Sequence, residues 1–430
     1  MRVTNDRPGT SGVRRTRFHF AIVPAGALLL FAVVAWATTL NEVVKLNADD
    51  SANNDFFGFS IALSDDTAVI GALRDDDNGV DSGSVYVFTR LGNDWNQQTK
   101  LTAADGGAGD EFGGKVALDG DVAVIGARHD DDKGVDSGSA YVFARTGTAW
   151  SQQAKLTAPD GAAGDEFGYS VAISGDIAVI GAPRDDDRGD DSGSAYVFSR
   201  SGNSWVQQAK LVAIDGAAGD VFGISVAISG DTVVVGADLA DEKGSNSGAA
   251  YVFRRSGRTW NHQANLTADD GAAGDLFGIR VALSGDTAVI GAARDDDNGE
   301  ESGAVYVFTR SGNEWVQQAK LSAADGSAND RFGTRVAIYG NTAVIGAILG
   351  DATSENTGSA YVFTRSGSTW SQQGKLVASD GAADDVFGWS VALYAETVMI
   401  GAPTSIITLP SGTGSAYVFE ITHKEDVNQD

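Results

Sequence analysis

Residues 167–198, FGYSVAISGDIAVIGAPRDDDRGDDSGSAYVF, show a regular succession of apolar runs and turns. Apolar residues alternate with small or polar ones over 169–174 and again over 177–182, the two-residue period of a half-buried β-strand. Gly175-Asp176 between these runs is typical of a tight hairpin. An eleven-residue loop, 183–193, then leads to a third apolar run at 194–199. The stretch therefore predicts consecutive antiparallel strands.

The Phe-Gly pair that begins this stretch recurs at a constant spacing of 55 residues. Such self-similarity indicates a repeat architecture, in which each copy is one structural unit. The repeats account for almost the whole chain after its first residues, so no linker between domains is expected. The seven copies begin at Phe57, Phe112, Phe167, Phe222, Phe277, Phe332 and Phe387.

Each copy has room for four strands, because a further alternating run at 205–211 follows the stretch quoted above. Four antiparallel strands in about 40–50 residues is the size of a β-propeller blade. A β-solenoid would need shorter coils and is the weaker alternative. The sequence therefore predicts an all-β, seven-bladed β-propeller of four-stranded blades over residues 38–423.

The two ends of the repeat array complement each other. Residues 40–48 resemble the fourth strand of the other copies but precede the first copy, and the seventh copy stops after its third strand, 415–421. An N-terminal strand that completes the last blade would close the ring and leave no open sheet edge. The tryptophan that recurs in each fourth strand, as at Trp205, is expected to pack between blades.

Residues 1–37 are predicted to be a signal peptide or an uncleaved membrane anchor. Arg14, Arg15 and Arg17 precede an uncharged stretch that contains Ala35-Trp36-Ala37, a small-x-small cleavage pattern. The propeller is therefore expected to be secreted or held at the cell surface, with contact to a membrane only through an uncleaved N-terminal segment. Residues 424–430 are a short C-terminal tail.

Composition excludes several classes of function. The absence of cysteine excludes disulfides, thiolate metal sites and a cysteine nucleophile. The formal net charge is −27, and residues 38–430 alone carry 26 basic and 57 acidic side chains. So negative a surface repels nucleic acid and favours cations, basic proteins or neutral glycans.

Phe-Gly, a strand pair and then Gly-Ala-Pro, as at 181–183 and 401–403, resembles the FG-GAP repeat of the integrin α propeller and related bacterial extracellular proteins. The resemblance implies an extracellular interaction or adhesion module that often binds calcium. In the integrin-type repeat, a calcium loop lies between Phe-Gly and Gly-Ala-Pro. Here that interval holds only a short hairpin such as 174–176, too short to surround a cation with six oxygens. We therefore do not assign the integrin-type calcium site to this chain.

Aspartate runs follow the second strand of four copies, and a further acidic loop joins each copy to the next. Both loops are expected on one face of the propeller. Their carboxylates could share Ca²⁺ ions, or they could cap turns and keep this face solvated. The candidate calcium ligands are Asp75, Asp77, Asp130, Asp132, Asp185, Asp187, Asp295 and Asp297, together with Asp160 and Asp165.

The acidic pattern is interrupted in the last two blades. The corresponding loop of blade seven has no acid and contains Ile406, Ile407 and Leu409. Exposed apolar residues beside charge can mark a protein contact, so these three are candidate partner-binding residues. The alternative is drift in the terminal copies, with the isoleucines folded over the central channel.

No catalytic constellation is predicted. His129, His262 and His423 occupy non-equivalent positions in three blades, and acids that recur around a ring are better explained by repetition than by a unique catalytic pair. We expect a monomeric, non-catalytic module that binds an extracellular protein or glycan, with Ca²⁺ as its candidate cofactor. The alternatives are a carbohydrate-active hydrolase and a structural repeat in a surface assembly.

Overall fold

Strands make up the regular structure of residues 37–202, 204–404 and 412–424, the parts of the chain that this computed structural model describes. Residues Thr38–Lys424 form one compact unit. In chain order the strands are β1 (Ala37–Leu46), β2 (Phe57–Ser64), β3 (Thr67–Ala72), β4 (Ser84–Leu91), β5 (Asp94–Leu101), β6 (Lys115–Asp119), β7 (Val122–Ala127), β8 (Ser139–Thr146), β9 (Ala149–Leu156), β10 (Ser170–Ser174), β11 (Ile177–Ala182), β12 (Ser194–Ser201), β13 (Ser204–Leu211), β14 (Ser225–Ser229), β15 (Thr232–Ala237), β16 (Ala249–Ser256), β17 (Thr259–Leu266), β18 (Phe277–Ser284), β19 (Thr287–Ala292), β20 (Ala304–Ser311), β21 (Glu314–Leu321), β22 (Phe332–Tyr339), β23 (Thr342–Ala347), β24 (Ser359–Ser366), β25 (Thr369–Leu376), β26 (Ser390–Tyr394), β27 (Thr397–Ala402) and β28 (Ser415–Lys424).

These strands form seven antiparallel sheets of four strands, and each sheet is one blade. Blades one to six are β2–β5, β6–β9, β10–β13, β14–β17, β18–β21 and β22–β25, while blade seven is β26, β27, β28 and β1. The first strand of each blade is the innermost, since these strands contact one another around the ring. The predicted seven-bladed propeller is confirmed.

The ring closes where the sequence predicts it. β1 is the outer strand of blade seven and pairs with β28. On the inner side, the Phe57 amide donates a 3.1 Å hydrogen bond to the Thr413 carbonyl, so the first blade is also tied to the last. In blade three, the observed strands differ from the predicted ones by at most two residues at either end.

The Phe-Gly pair locks neighbouring blades together. The buried Phe167 ring packs edge-on against Tyr196 and Phe198 in its own blade, with centroids 5.4 and 6.1 Å apart. Its amide donates a 3.0 Å hydrogen bond to the Ser137 carbonyl of blade two. Gly168 has a φ of +96°, and a Cβ there would overlap the Ser139 carbonyl. Glycine is required because the backbones of two blades meet at this point.

The hydrophobic core lies between blades rather than within one. The core between blades two and three, for example, joins Val124 and Val142 of one blade to Phe167 and Ile180 of the next. The recurrent tryptophans extend these contacts toward the rim. Trp260 Nε1 donates a 2.8 Å hydrogen bond to Gln208 of the preceding blade, as the predicted interblade packing requires.

Several sequence predictions lie outside the described residues. These include nearly all of the signal or anchor at 1–37, all of the tail after Lys424, and the candidate contact residues Ile406, Ile407 and Leu409. Within the described ranges, no helix is long and apolar enough to cross a membrane.

Candidate functional site

One face of the propeller carries the two acidic loop types. The loops between second and third strands, such as 183–193, and the loops that join successive blades, such as 157–169, leave the sheets at the same end of each blade. We call this end the loop face. Within the described ranges, the loops on the opposite face are short hairpins, such as that at 175–176.

The aspartates of blade three surround a lysine ammonium. Asp185 is 3% exposed, and its Oδ2 accepts hydrogen bonds from Tyr196 Oη at 2.7 Å and Lys210 Nζ at 2.8 Å. Asp160 Oδ2 accepts another from Lys210 at 2.9 Å, and Asp187 also pairs with this ammonium. Three carboxylates from two loops therefore meet around one cation from the outer strand. We call this arrangement a lysine cluster.

The same cluster recurs in blades one, two and five, where each ammonium lies 2.5–2.9 Å from three carboxylates. The structure thus brings together nine of the ten predicted calcium ligands, in four groups; the exception is Asp165. The three further clusters are Asp50, Asp75 and Asp77 around Lys100; Asp105, Asp130 and Asp132 around Lys155; and Asp270, Asp295 and Asp297 around Lys320.

The lysine keeps its cluster ionised. Burial raises the pKa of Asp160, but the hydrogen bonds from Lys210 and Tyr196 outweigh burial and hold the pKa below its ordinary value. Burial lowers the pKa of Lys210, yet the bonds to Asp185 and Asp187 outweigh it and raise the pKa above the ordinary lysine value. Three carboxylates against one ammonium give each cluster a formal net charge of −2.

The geometry of these clusters suits an ammonium ion. In the described ranges, no group of three or more acidic or histidine side chains is placed to hold a metal ion. A calcium ion at Asp160, Asp185 and Asp187 would have to displace Lys210 from the centre of the group. Calcium binding at the loop face thus remains a prediction.

Three blades depart from the cluster. In blade four, Ala240, Glu242 and Asn265 stand where blade three has Asp185, Asp187 and Lys210. Asn265 Nδ2 donates a 2.8 Å hydrogen bond to Asp215, while burial and a hydrogen bond with Asp215 raise the pKa of Glu242. In blades six and seven the lysine pairs with one carboxylate, as Lys375–Asp325 at 2.9 Å and Lys45–Asp380 at 2.7 Å.

A second candidate site lies at the loop-face end of the central channel. A cavity of about 370 Å³ is lined there by aromatic rings, by five cationic side chains and by one carboxylate, Glu111. We call this cavity the channel mouth. Its aromatic residues are Phe56, Phe59, Tyr169 and Trp389, and its cations are Arg74, Lys115, Arg128, Arg280 and Arg335.

Three of these cations break the symmetry of the repeat at one position, the third residue after the Phe of Phe-Gly. Four blades have serine there, and Ser60 Oγ, for example, donates a 2.6 Å hydrogen bond to the Gly113 carbonyl of the next blade. Lys115, Arg280 and Arg335 replace serine in blades two, five and six. These three residues are not among the sequence predictions, although an alignment of the seven copies contains the signal.

The sequence itself matches the model of the FG-GAP repeat in seven segments: 40–88, 95–143, 150–198, 205–253, 260–308, 315–363 and 370–419. The chain belongs to the FG-GAP repeat family. Each matched segment begins in the outer strand of one blade and ends in the third strand of the next, the same offset that closes the ring. A comparison with curated proteins found no match. The FG-GAP propeller fold suggests a module of the protein-binding or adhesion type, and it resembles the non-catalytic modules of integrins.

In this FG-GAP propeller, Asp165 belongs to a second set of aspartates, one in each interblade loop. Asp165 is 4% exposed, and its Oδ2 accepts a 2.8 Å hydrogen bond from the Ala162 amide. Burial outweighs this bond and raises the pKa of Asp165 to about 6. Burial likewise raises the pKa of the equivalent Asp55, Asp110, Asp220, Asp275, Asp330 and Asp385.

The aspartates with raised pKa values, such as Asp165, and those with lowered pKa values, such as Asp160, together predict an unusual dependence of stability on pH. A carboxyl whose folded pKa is raised contributes stability that is complete below its unfolded pKa and is lost as pH rises through the folded value. The melting temperature is therefore expected to rise when pH falls from about 7.5 to about 5, and to fall below about pH 4 as carboxylates such as Asp160 become protonated. Differential scanning calorimetry across this range measures the profile.

Asp165→Asn is the control variant, because the amide oxygen still accepts the Ala162 hydrogen bond but cannot titrate. It should be more stable than the wild type at pH 7.5 and gain less on acidification. A melting temperature that falls steadily from pH 7.5 to 5 would contradict the prediction.

Proposed function

We propose that this FG-GAP propeller is an extracellular, non-catalytic binding or adhesion module whose loop face binds a basic surface of a protein partner. The observation that carries the proposal is the excess of carboxylates in the lysine clusters, where one ammonium faces three carboxylates in each of four blades. The export pattern in residues 1–37 supports the extracellular location.

Further carboxylates on the same face extend this charge and are held in place. Asp76 is exposed, and its Oδ1 accepts a 2.8 Å hydrogen bond from the Asp81 amide. Asp131 makes the same 2.8 Å bond to the Asp136 amide in blade two. Loops fixed by such bonds lose little conformational entropy on binding, which favours affinity.

Apolar side chains stand among these acids in two adjacent blades. Val80 is 68% exposed and Val135 is 67% exposed, at equivalent positions in the loops of blades one and two. An apolar contact surrounded by charge is a common arrangement in protein interfaces, whose centres are less charged than their rims. We therefore place the partner over blades one and two.

Binding of a lysine- and arginine-rich peptide, measured by biolayer interferometry, tests the proposal against an acidic peptide of equal length. The basic peptide should bind more tightly, and its affinity should fall as salt rises because the attraction is electrostatic. The double variant Asp76→Asn/Asp131→Asn should bind the basic peptide about fivefold more weakly, since it removes two charges but keeps both hydrogen-bond acceptors.

The matched control is Asp65→Asn/Asp119→Asn, which removes two charges from the hairpins of the opposite face. Asp65 accepts a hydrogen bond from Tyr394 and Asp119 accepts one from Gly175, and asparagine can accept both. Equal losses in the two double variants would mean that binding follows net charge alone, and the loop-face proposal would fail.

Calcium assistance is a separate part of the proposal. Thermal unfolding with millimolar CaCl₂ or MgCl₂ tests it, because an ion held only by the folded state raises the melting temperature. A calcium-specific rise would support assistance by the metal. No difference between the two salts would leave the loop face as an acidic surface that acts without calcium.

A further inference from the structure

Three cationic side chains from distant parts of the sequence meet at the channel mouth. Lys115 lies on β6, Arg280 on β18 and Arg335 on β22, all at the same position of the repeat. All three line the cavity of about 370 Å³. The ring geometry, rather than any local motif, creates this group.

Several donors of this group lack acceptors. Among the described residues, the Nε atoms of Arg280 and Arg335 are buried without a partner. Nη1 of each arginine donates only to a carbonyl of its own strand, Ile279 at 2.5 Å and Thr334 at 2.8 Å. Arg335 is 8% exposed, so its unpaired Nε is also remote from solvent. Buried donors without acceptors are costly unless a ligand pairs with them.

The field in the channel mouth is positive although the chain carries a net charge of −27. Burial and then repulsion by Arg280, Arg335 and Arg128 lower the pKa of Lys115. The one lining carboxylate, Glu111, is already paired with Arg128 at 2.6 Å. Burial raises the pKa of Asp238 to about 6 although Arg280 and Arg294 oppose the rise, so at neutral pH Asp238 is a partial countercharge for Arg280. An added anion would relieve this repulsion.

Aromatic rings flank the cations and narrow the choice of anion. The Phe59 and Trp389 rings lie 5.3 Å apart, and the Arg335 guanidinium lies over the Trp389 ring at 4.8 Å. Trp389 Nε1 is buried without an acceptor in the described structure. Inorganic phosphate would leave the rings unused, whereas a sugar acid offers a carboxylate, hydroxyl acceptors and an apolar ring face. The cavity lies within the usual range of about 300–1,000 Å³ for small-ligand sites.

We propose that the channel mouth binds a carboxylate-bearing sugar of the uronic acid class, with Lys115, Arg280 and Arg335 around its carboxylate and Trp389 and Phe59 against its ring. Guanidinium groups match the planar carboxylate with parallel hydrogen bonds, and the ammonium adds a further donor. This binding is independent of the loop-face proposal.

Isothermal titration calorimetry with sodium D-glucuronate tests the proposal, with D-glucose, sodium phosphate and sodium sulfate as probes at equal ionic strength. Glucuronate should bind at least about tenfold more tightly than glucose, as expected for charge-assisted hydrogen bonds. It should also bind more tightly than phosphate or sulfate. Phosphate binding equal to that of glucuronate would overturn the assignment to a sugar acid.

Substitution by serine offers variants that the repeat already accepts. Lys115→Ser, Arg280→Ser and Arg335→Ser each restore the residue of the other blades, whose hydroxyl donates to a glycine carbonyl of the next blade at Ser60, Ser170 and Ser390. Each variant should weaken glucuronate binding at least about tenfold. Without ligand, each should melt at least about 2 °C higher, because the repulsion among buried cations is reduced.

Arg184→Ser is the control, since it removes a positive charge from the loop face at a residue that does not line the channel mouth. It should leave glucuronate affinity unchanged. Absence of glucuronate binding, or unchanged binding in the three serine variants at the channel mouth, would overturn the proposal. Asp76→Asn/Asp131→Asn should still bind glucuronate, and Arg335→Ser should still bind the basic peptide, so the two sites fail separately.

Discussion

Lys210→Asn is expected to lower the free energy of unfolding by about 3 kcal/mol, within the range for breaking a buried ion pair. Lys210 is the cation shared by Asp160, Asp185 and Asp187, and Asp185 is only 3% exposed. Without the ammonium, the Asp185 carboxyl would be left in a buried position with Tyr196 as its remaining side-chain donor. Equilibrium unfolding in guanidinium chloride measures the loss.

Blade four supplies the control, because it lacks the equivalents of both Asp185 and Lys210. The double variant Asp185→Ala/Lys210→Asn reproduces Ala240 and Asn265 of that blade. Tyr196 keeps its 3.0 Å hydrogen bond to Asp160 in this variant. Removing both charges should restore at least half of the lost stability, since no buried charge is left alone. A double variant as unstable as Lys210→Asn would show that Asp185 is not the residue that needs the lysine.

Gly168→Ala is expected to destabilise the propeller by about 4 kcal/mol or more, at the upper end of single-residue effects. The φ of +96° at Gly168 is unfavourable for alanine, and the new Cβ would overlap the Ser139 carbonyl of the preceding blade. The backbone at Gly168 cannot move freely, because its amide donates a 3.0 Å hydrogen bond to the Gly181 carbonyl of its own blade, and the adjacent Phe167 amide donates one of 3.0 Å to the Ser137 carbonyl of the preceding blade. Thermal and chemical unfolding of the purified variant measure the effect.

The variant Gly164→Ala separates the effect of the positive φ from the effect of steric overlap with the neighbouring blade. Gly164 has a nearly identical φ of +90°, but nothing lies within 4 Å of the position that its Cβ would take. This substitution should cost only the backbone term of about 1–2 kcal/mol. If the two alanine variants were equally unstable, the close approach of blades at Phe-Gly would not be the reason for glycine at 168.

The sequence predicted the positions of the candidate calcium ligands better than their surroundings. Asp160, Asp185 and Asp187 do meet, because adjacent loops leave each blade at one end. The lysine at their centre was visible only as a recurrent Lys-Leu pair in the fourth strand. Lys210 is 25 residues from Asp185 and 50 from Asp160, and no local pattern tells whether its long side chain turns toward them or into solvent.

The propeller architecture can be predicted from the sequence alone. The repeats have a constant spacing of 55 residues, a two-residue alternation and a glycine at each Phe-Gly pair. A chain with these features buries its apolar faces by packing similar sheets against one another in a closed ring. These signals are local or periodic, so they can be read along the chain.

Which charged side chains come together depends on the tertiary structure. Lys115 and Arg335 are 220 residues apart in the chain, yet the ring places both at the channel mouth. Lys210 likewise reaches its carboxylates only once the outer strand lies beside the two loops. Electrostatic interactions depend on distance in space and on exclusion of water, and both quantities exist only after the blades have closed around the channel.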